Sequence, residues 1–293
     1  MKQILLRKSL ATVALLWLAI TAWGAESAVA VDYETADSVK VLQLLNIGSQ
    51  QPKGANLMVF FARQLLGVPY VAKTLENNKE EKLVVNLRQL DCTTYVETVL
   101  ALTLCTRHGQ NTFADYCRQL QLIRYRNGEV NYPTRLHYFT EWIEDNTRLG
   151  FVTERQAPNP PFTAVQTLNI NFMTSHANLY PMLTDKPAWI NIIANTERSL
   201  TGKRYRYIPK ESIANTKLFR QTIHNGDIIA ITTTKQGLDT SHIGIAVWHR
   251  DGLHLLNASQ IRKVTVEEPM TLRTYMQKHP SQQGIRIISV VGN

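Results

Sequence analysis

Cysteine is scarce in this chain: three of 293 residues, at Cys92, Cys105 and Cys117. The odd count leaves at least one thiol unpaired within the chain. Several motifs are missing altogether. Without His-Glu-x-x-His, Cys-x-x-Cys or a tight histidine–carboxylate cluster in the sequence, a zinc site has little support, and no metal or cofactor is expected. Without Gly-x-Ser-x-Gly, a serine hydrolase elbow is excluded. No glycine loop cradles phosphate. The acidic pairs Glu80-Glu81 and Glu267-Glu268 read as solvated charge rather than a glycosidase pair. No repeat recurs at 20–50 residues. Basic residues are scattered, with short clusters at Arg124/Arg126 and Lys203/Arg204. That dispersion gives no nucleic-acid footprint.

After residue 30 no run is apolar and long enough for a span of about 20 residues. The one strongly apolar stretch, Val13 to Ala22, follows Lys2, Arg7 and Lys8 and precedes small residues at Ala28 and Ala30. This is the pattern of a cleaved signal peptide over residues 1–30, which predicts a periplasmic or secreted protein without a stable membrane span. Losing that segment changes the formal charge from +9 to +7. A basic exported protein suits an anionic partner such as a cell-wall polymer.

Apolar spacing predicts helices over Asp32–Asn46, Asn56–Leu66, Thr93–Arg107, Thr112–Tyr125, Tyr138–Asn146, Asn171–Tyr180 and Trp189–Leu200. Lys82–Leu87 reads as a short strand. After Asn225-Gly226 the texture turns β-branched, with strands at 227–233, 243–248, 253–257, 263–266 and 285–291. A helical first half before a strand-rich second half is an α+β order. Pro158, Pro160 and Pro161 mark a rigid loop, read as a boundary or lid. Cys105 and Cys117 fall on neighbouring helices, so a disulfide between them and two packed thiols are both open readings.

Cys92 stands at the start of an apolar helix, after Asp91 and before Thr93-Thr94, residues that suit a helix start. Unpaired N–H groups and the helix dipole there favour a thiolate, and hence a nucleophile. The Cys92 N–H is placed to donate to a bound carbonyl oxygen. His242 lies 150 residues later in the strand-like Ser241-His242-Ile243-Gly244-Ile245, as a candidate base. The next strand offers two partners to orient its ring, Asn257 and His254. Three residues apart, they point to opposite faces, and Asn257 is the choice. Packing the cysteine half on the histidine half predicts one domain over 31–293.

Together Gly67-Val68-Pro69-Tyr70, Leu90-Asp91-Cys92-Thr93-Thr94, Ser241-His242-Ile243-Gly244 and Leu256-Asn257-Ala258-Ser259 resemble the NlpC-type papain-like cysteine hydrolases. The similarity is greatest to the N-acetylmuramoyl-L-alanine amidase-like subfamily. Arg135-Leu136-His137-Tyr138-Phe139-x-x-Trp142 and Asn225-Gly226-Asp227-Ile228-Ile229 extend it, and it runs from about Asn56 to the end. The resemblance implies a papain-like fold with helical insertions. It also implies a metal-free amidase cutting the muramoyl–L-alanine bond of peptidoglycan or its muropeptides, with Cys92 as nucleophile, His242 as base and Asn257 as third member. A D-Glu–diamino acid endopeptidase and a non-catalytic wall-binding module are the alternatives. Tyr70 and Asp91 flank the cysteine as substrate-side candidates. Arg135, His137 and Trp142 form a basic and aromatic cluster suited to clamping a carboxylate and stacking on a sugar.

Overall fold

The computed structural model describes residues 29–292. The signal-peptide expectation for 1–30 thus lies outside the described residues, apart from its last two positions. From Val31 onward the chain forms one compact unit. Phe162, just after the proline loop, enters the sheet's apolar core, so that loop is an internal connection and not a boundary.

The first half is helical: α1 (Thr35–Ser49), α2 (Leu57–Gln64), α3 (Cys92–Arg107), α4 (Phe113–Arg124) and α5 (Phe139–Arg148). A small parallel pair joins β1 (Val31–Tyr33) to β2 (Leu83–Val85). The second half adds β3 (Val152–Glu154), β4 (Ala164–Thr167), α6 (Phe172–Ser175), α7 (Pro181–Asp185), α8 (Ala188–Leu200), β5 (Arg204–Pro209) and α9 (Lys217–Thr222). It ends with β6 (Ile228–Thr233), β7 (Thr240–Trp248), β8 (Leu253–Ser259), β9 (Val264–Glu267), α10 (Leu272–Gln277) and β10 (Gln282–Val290). The main sheet runs β4-β5-β10-β6-β7-β8-β9, with β3 also on β10. Every pairing in it is antiparallel.

Helix α3 is the hub. Its residues from Thr94 to Cys105 are all buried. A helix apolar on most sides has to be surrounded, and α3 packs on α1, α2, α4, β7 and β8. Its one deeply buried acid, Glu97, meets Arg124 of α4 at 2.7 Å, and the same guanidinium donates to the Val84 carbonyl at 2.7 Å. Buried charge is tolerated because it is paired. Cys105 and Cys117 are free thiols in the structure, as is Cys92, so no disulfide joins the two helices.

Two close approaches set the sheet. A Cβ on Gly244 of β7 would lie 2.7 Å from the Leu256 carbonyl oxygen and 2.7 Å from the Leu255 side chain. A Cβ on Gly284 would collide with the Ile208 carbonyl oxygen. Both strands need glycine to pack this tightly. The predicted helix over Asn171–Tyr180 is instead the short α6 followed by a 3-10 turn at Ala177–Leu179. The side chains of Phe172 and Met173 and the turn at Tyr180 join a separate apolar cluster with Leu183 and Ile193, and tertiary packing there replaces one continuous helix.

Candidate active site

The site forms where the head of α3 meets the start of β7. Asp91 caps α3: its carboxylate accepts from the Thr94 N–H at 2.8 Å, while Thr94 Oγ1 accepts from the Asp91 N–H at 2.9 Å. This reciprocal box fixes Cys92 as the first helical residue. Asp91 thus serves the helix cap through one carboxylate oxygen, Oδ1, beside the candidate nucleophile.

Tyr70 is brought to the same place by a stitched strap. Gly67 takes φ +85° and donates to the Thr265 carbonyl at 3.0 Å. Thr265 donates back to the Val68 carbonyl at 2.8 Å, and Tyr70 donates to the Lys263 carbonyl at 2.9 Å. The strap also pairs with Leu90, just before the cysteine. Burial, then the nearby Cys92 and Asp91, push the Tyr70 phenol up to about 12, so it stays a hydroxyl donor at neutral pH.

On β7 a bulge aims the histidine. Ile231 pairs with His242 and Thr232 with Thr240, so Ser241 is an extra residue. Bulges beside a site redirect the neighbouring side chain. His242 Nε2 lies 3.0 Å from Asn257 Oδ1. The Asn257 amide nitrogen donates to the Leu255 carbonyl at 3.3 Å, which fixes the amide so that oxygen faces the ring. Nε2 must then carry the proton, and Nδ1 keeps its lone pair. Asn257 is fully buried. His254, the rival partner, turns away to the Glu268 carbonyl at 2.8 Å.

Cys92, Thr93, His137, Phe139, Tyr180 and His242 line one cavity of about 220 Å³. The start of α5 reaches it because Asp239, just before β7, accepts from the Thr140 N–H at 2.6 Å. The electrostatics work against one expectation. Burial, then the Asp91 charge, push the Cys92 thiol up to about 12, against the Ile243 N–H, the Thr93 hydroxyl and its own N–H. A helix N-terminus contributes about 0.3–1 kcal/mol, less than one pK unit at about 1.4 kcal/mol each. Desolvation moves a buried group by up to about 3–5 units, and it wins here. Burial also lowers the His242 pKa, against its Asn257 bond. Burial therefore opposes at Cys92 the ionisation that the helix position favours, and at His242 it favours the neutral imidazole.

Two members of the basic–aromatic cluster are not at the cavity. Arg135 is buried, paired with Glu76 and with Glu81 at 3.4 Å, and lies over the Tyr132 ring at 4.6 Å. Its fork is occupied by the protein's own carboxylates, so it does not clamp a ligand. Trp142 is fully buried and stacked on Phe139 at 4.8 Å, so it cannot meet a sugar. His137 does line the cavity, with Nε2 2.8 Å from the Tyr132 carbonyl. Burial and then Arg135 push its pKa down to about 3, keeping it neutral. Phe139, stacked on Trp142, also contributes to the wall. Thr93, Tyr180 and the Ile243 N–H were not singled out from the sequence. Thr93 alone carried a signal, as the polar residue next to the cysteine.

Residues 60–285, which include Cys92, His242 and Asn257, match the AmiA-like family model, described as N-acetylmuramoyl-L-alanine amidase-like. A Bacteroides uniformis crystal structure described as an N-acetylmuramoyl-L-alanine amidase is 35% identical, with a TM-score of 0.74 over 83% of this chain and 99% of that one. A Bacteroides fragilis structure with a provisional xylanase name is 37% identical, with a TM-score of 0.72 over 78% and 98%. A Legionella pneumophila protein shares the fold at 22% identity, with a TM-score of 0.66 over 87% and 94%. The comparison with curated proteins finds none that matches. The chain belongs to the AmiA-like, N-acetylmuramoyl-L-alanine amidase-like family.

Proposed function

We propose that this protein is an exported cysteine amidase of the papain-like, NlpC-type class, hydrolysing the amide between N-acetylmuramic acid and L-alanine in peptidoglycan fragments. The observation that carries the reading is the shared cavity of Cys92 and His242, with the imidazole oriented by Asn257. In the family description this bond is the one named.

The chemistry follows from the proton inventory. As Cys92 Sγ attacks the muramoyl carbonyl, its proton passes to the His242 Nδ1 lone pair. The Cys92 N–H and the Tyr70 hydroxyl are donors for the developing oxyanion. The imidazolium, stabilised by Asn257 Oδ1, then protonates the alanine nitrogen as the C–N bond breaks. Water attacks the remaining thioester with Nδ1 as base, releasing the muramoyl carboxylate and restoring the thiol. His137 and Phe139 line the path of the bound fragment. The basic chain and the charged, apolar-cored N-terminus fit an exported enzyme meeting an anionic polymer.

Mass spectrometry of digests of defined muropeptides tests the reading. An intact stem peptide with a free L-alanine amine is the expected product. A dipeptide left on the sugar means an endopeptidase cutting after D-Glu, and retention on sacculi with no product means a binding module.

A further inference from the structure

At the opposite end of β7 from His242, about 20 Å along the strand at ~3.3 Å per residue, the turn into β8 carries His249 and Asp251, and β8 itself carries His254. One donor atom from each lies within 4.8 Å of the others. The spacing His-x-Asp-x-x-His matches no helical zinc motif, and the reading of the sequence finds no cluster here. The hairpin creates it by folding the two histidines face to face, with ring centroids 4.1 Å apart and planes 21° apart.

Each histidine is already oriented. His254 is buried, with Nδ1 2.8 Å from the Glu268 carbonyl oxygen and Nε2 2.9 Å from Asp251 Oδ1. A carbonyl can only accept, so Nδ1 carries the proton and the Nε2 lone pair faces a carboxylate oxygen. That contact calls for a proton shared by the two atoms or, with both turned toward it, a metal ion beside them. His249 Nε2 lies 2.6 Å from Glu267 Oε1, and Arg63 holds Glu267 at 2.9 and 3.0 Å. Donating Nε2–H to this clamped carboxylate leaves His249 Nδ1 with its lone pair. A histidine that donates one nitrogen to a carboxylate or backbone carbonyl and keeps the other free is the arrangement of a metal ligand.

We propose that His249, Asp251 and His254 form a transition-metal site, separate from the Cys92 cavity, that takes Zn²⁺ or an ion of similar preference. Two imidazole nitrogens and one carboxylate oxygen suit Zn²⁺ and its neighbours, and not Ca²⁺ or Mg²⁺, which prefer all-oxygen sets. Ligands at about 2.0–2.2 Å place donors roughly 3–3.5 Å apart. Asp251 is 63% exposed beside Gly252, on a turn that can close that gap by rotation. The bound ion ties the β7–β8 turn to β9 and, through Glu267 and Arg63, to α2.

The test is calorimetric titration of Zn²⁺ into chelator-stripped, tag-free Cys92→Ala protein, which removes the cavity thiol as a competing ligand. One saturable equivalent is expected, together with a rise in Tm on adding the ion. His249→Gln and Asp251→Asn, both at exposed positions, should each weaken uptake at least tenfold while the metal-free Tm stays near that of the parent. Absence of saturable uptake, or uptake that both variants leave unchanged, overturns the site. Because no step of the hydrolysis uses these residues, either result leaves the amidase reading to its own test.

Discussion

At the scale of single residues the site is set by a competition between a local and a non-local effect. The helix head that should ionise Cys92 is legible in the sequence, through Asp91 and the threonines. The protein packed around the sulfur is not, and it opposes that ionisation. In the proposed mechanism His242 serves as base only in its neutral form, so activity should be lost as pH falls through its pKa. Burial lowers that pKa below the ordinary 6.5. The acid limb of kcat/KM is therefore expected below 6.5, and iodoacetamide should alkylate Cys92 slowly at neutral pH and faster with rising pH. An alkylation rate already at its plateau in mild acid would mean a preformed ion pair. Arg135 shows the opposite failure of sequence reading. A cation near aromatics resembles a ligand clamp, but its partners Glu76 and Glu81 lie more than fifty residues earlier in the chain and are brought to it only by the fold. Arg135→Ala leaves those acids uncompensated and should cost about 3–5 kcal/mol, read by urea denaturation. KM for the folded fraction should not change.

At the scale of elements, the strands with clear β-branched texture, β6 to β10, were legible with bounds close to those observed. Strands β3, β4 and β5 were not: β5 is Arg-Tyr-Arg-Tyr-Ile-Pro, whose long polar residues mask a strand that is only partly buried. The bulge at Ser241 has no sequence signature, although it aims the histidine. Gly244 invites a reading as space beside the imidazole, but the structure gives it a different task, the close approach of β7 to β8. Gly244→Ala should force the strands apart at a cost of about 1–3 kcal/mol and draw His242 from Asn257. Thermal melting and kcat should both fall. A variant with lowered Tm but wild-type kcat at low temperature would separate the strand contact from the site.

At the scale of the whole molecule, neither half of the chain holds the proposed chemistry alone. The cysteine and tyrosine come from the helical half, the histidine and asparagine from the sheet, and α3 packed on β7 and β8 joins them. The α+β order was readable because helix and strand periodicities are local; the meeting of Cys92 with His242 was inferred from residue types, and the buried α3 accounts for it physically. The central claim is that one sulfur performs the hydrolysis. Turnover of a defined muramoyl-peptide by Cys92→Ala, beside the wild type and with matched circular dichroism, tests it most directly. A folded variant with no detectable release of stem peptide is the predicted result; a folded variant that still releases it at a rate near wild type contradicts the account.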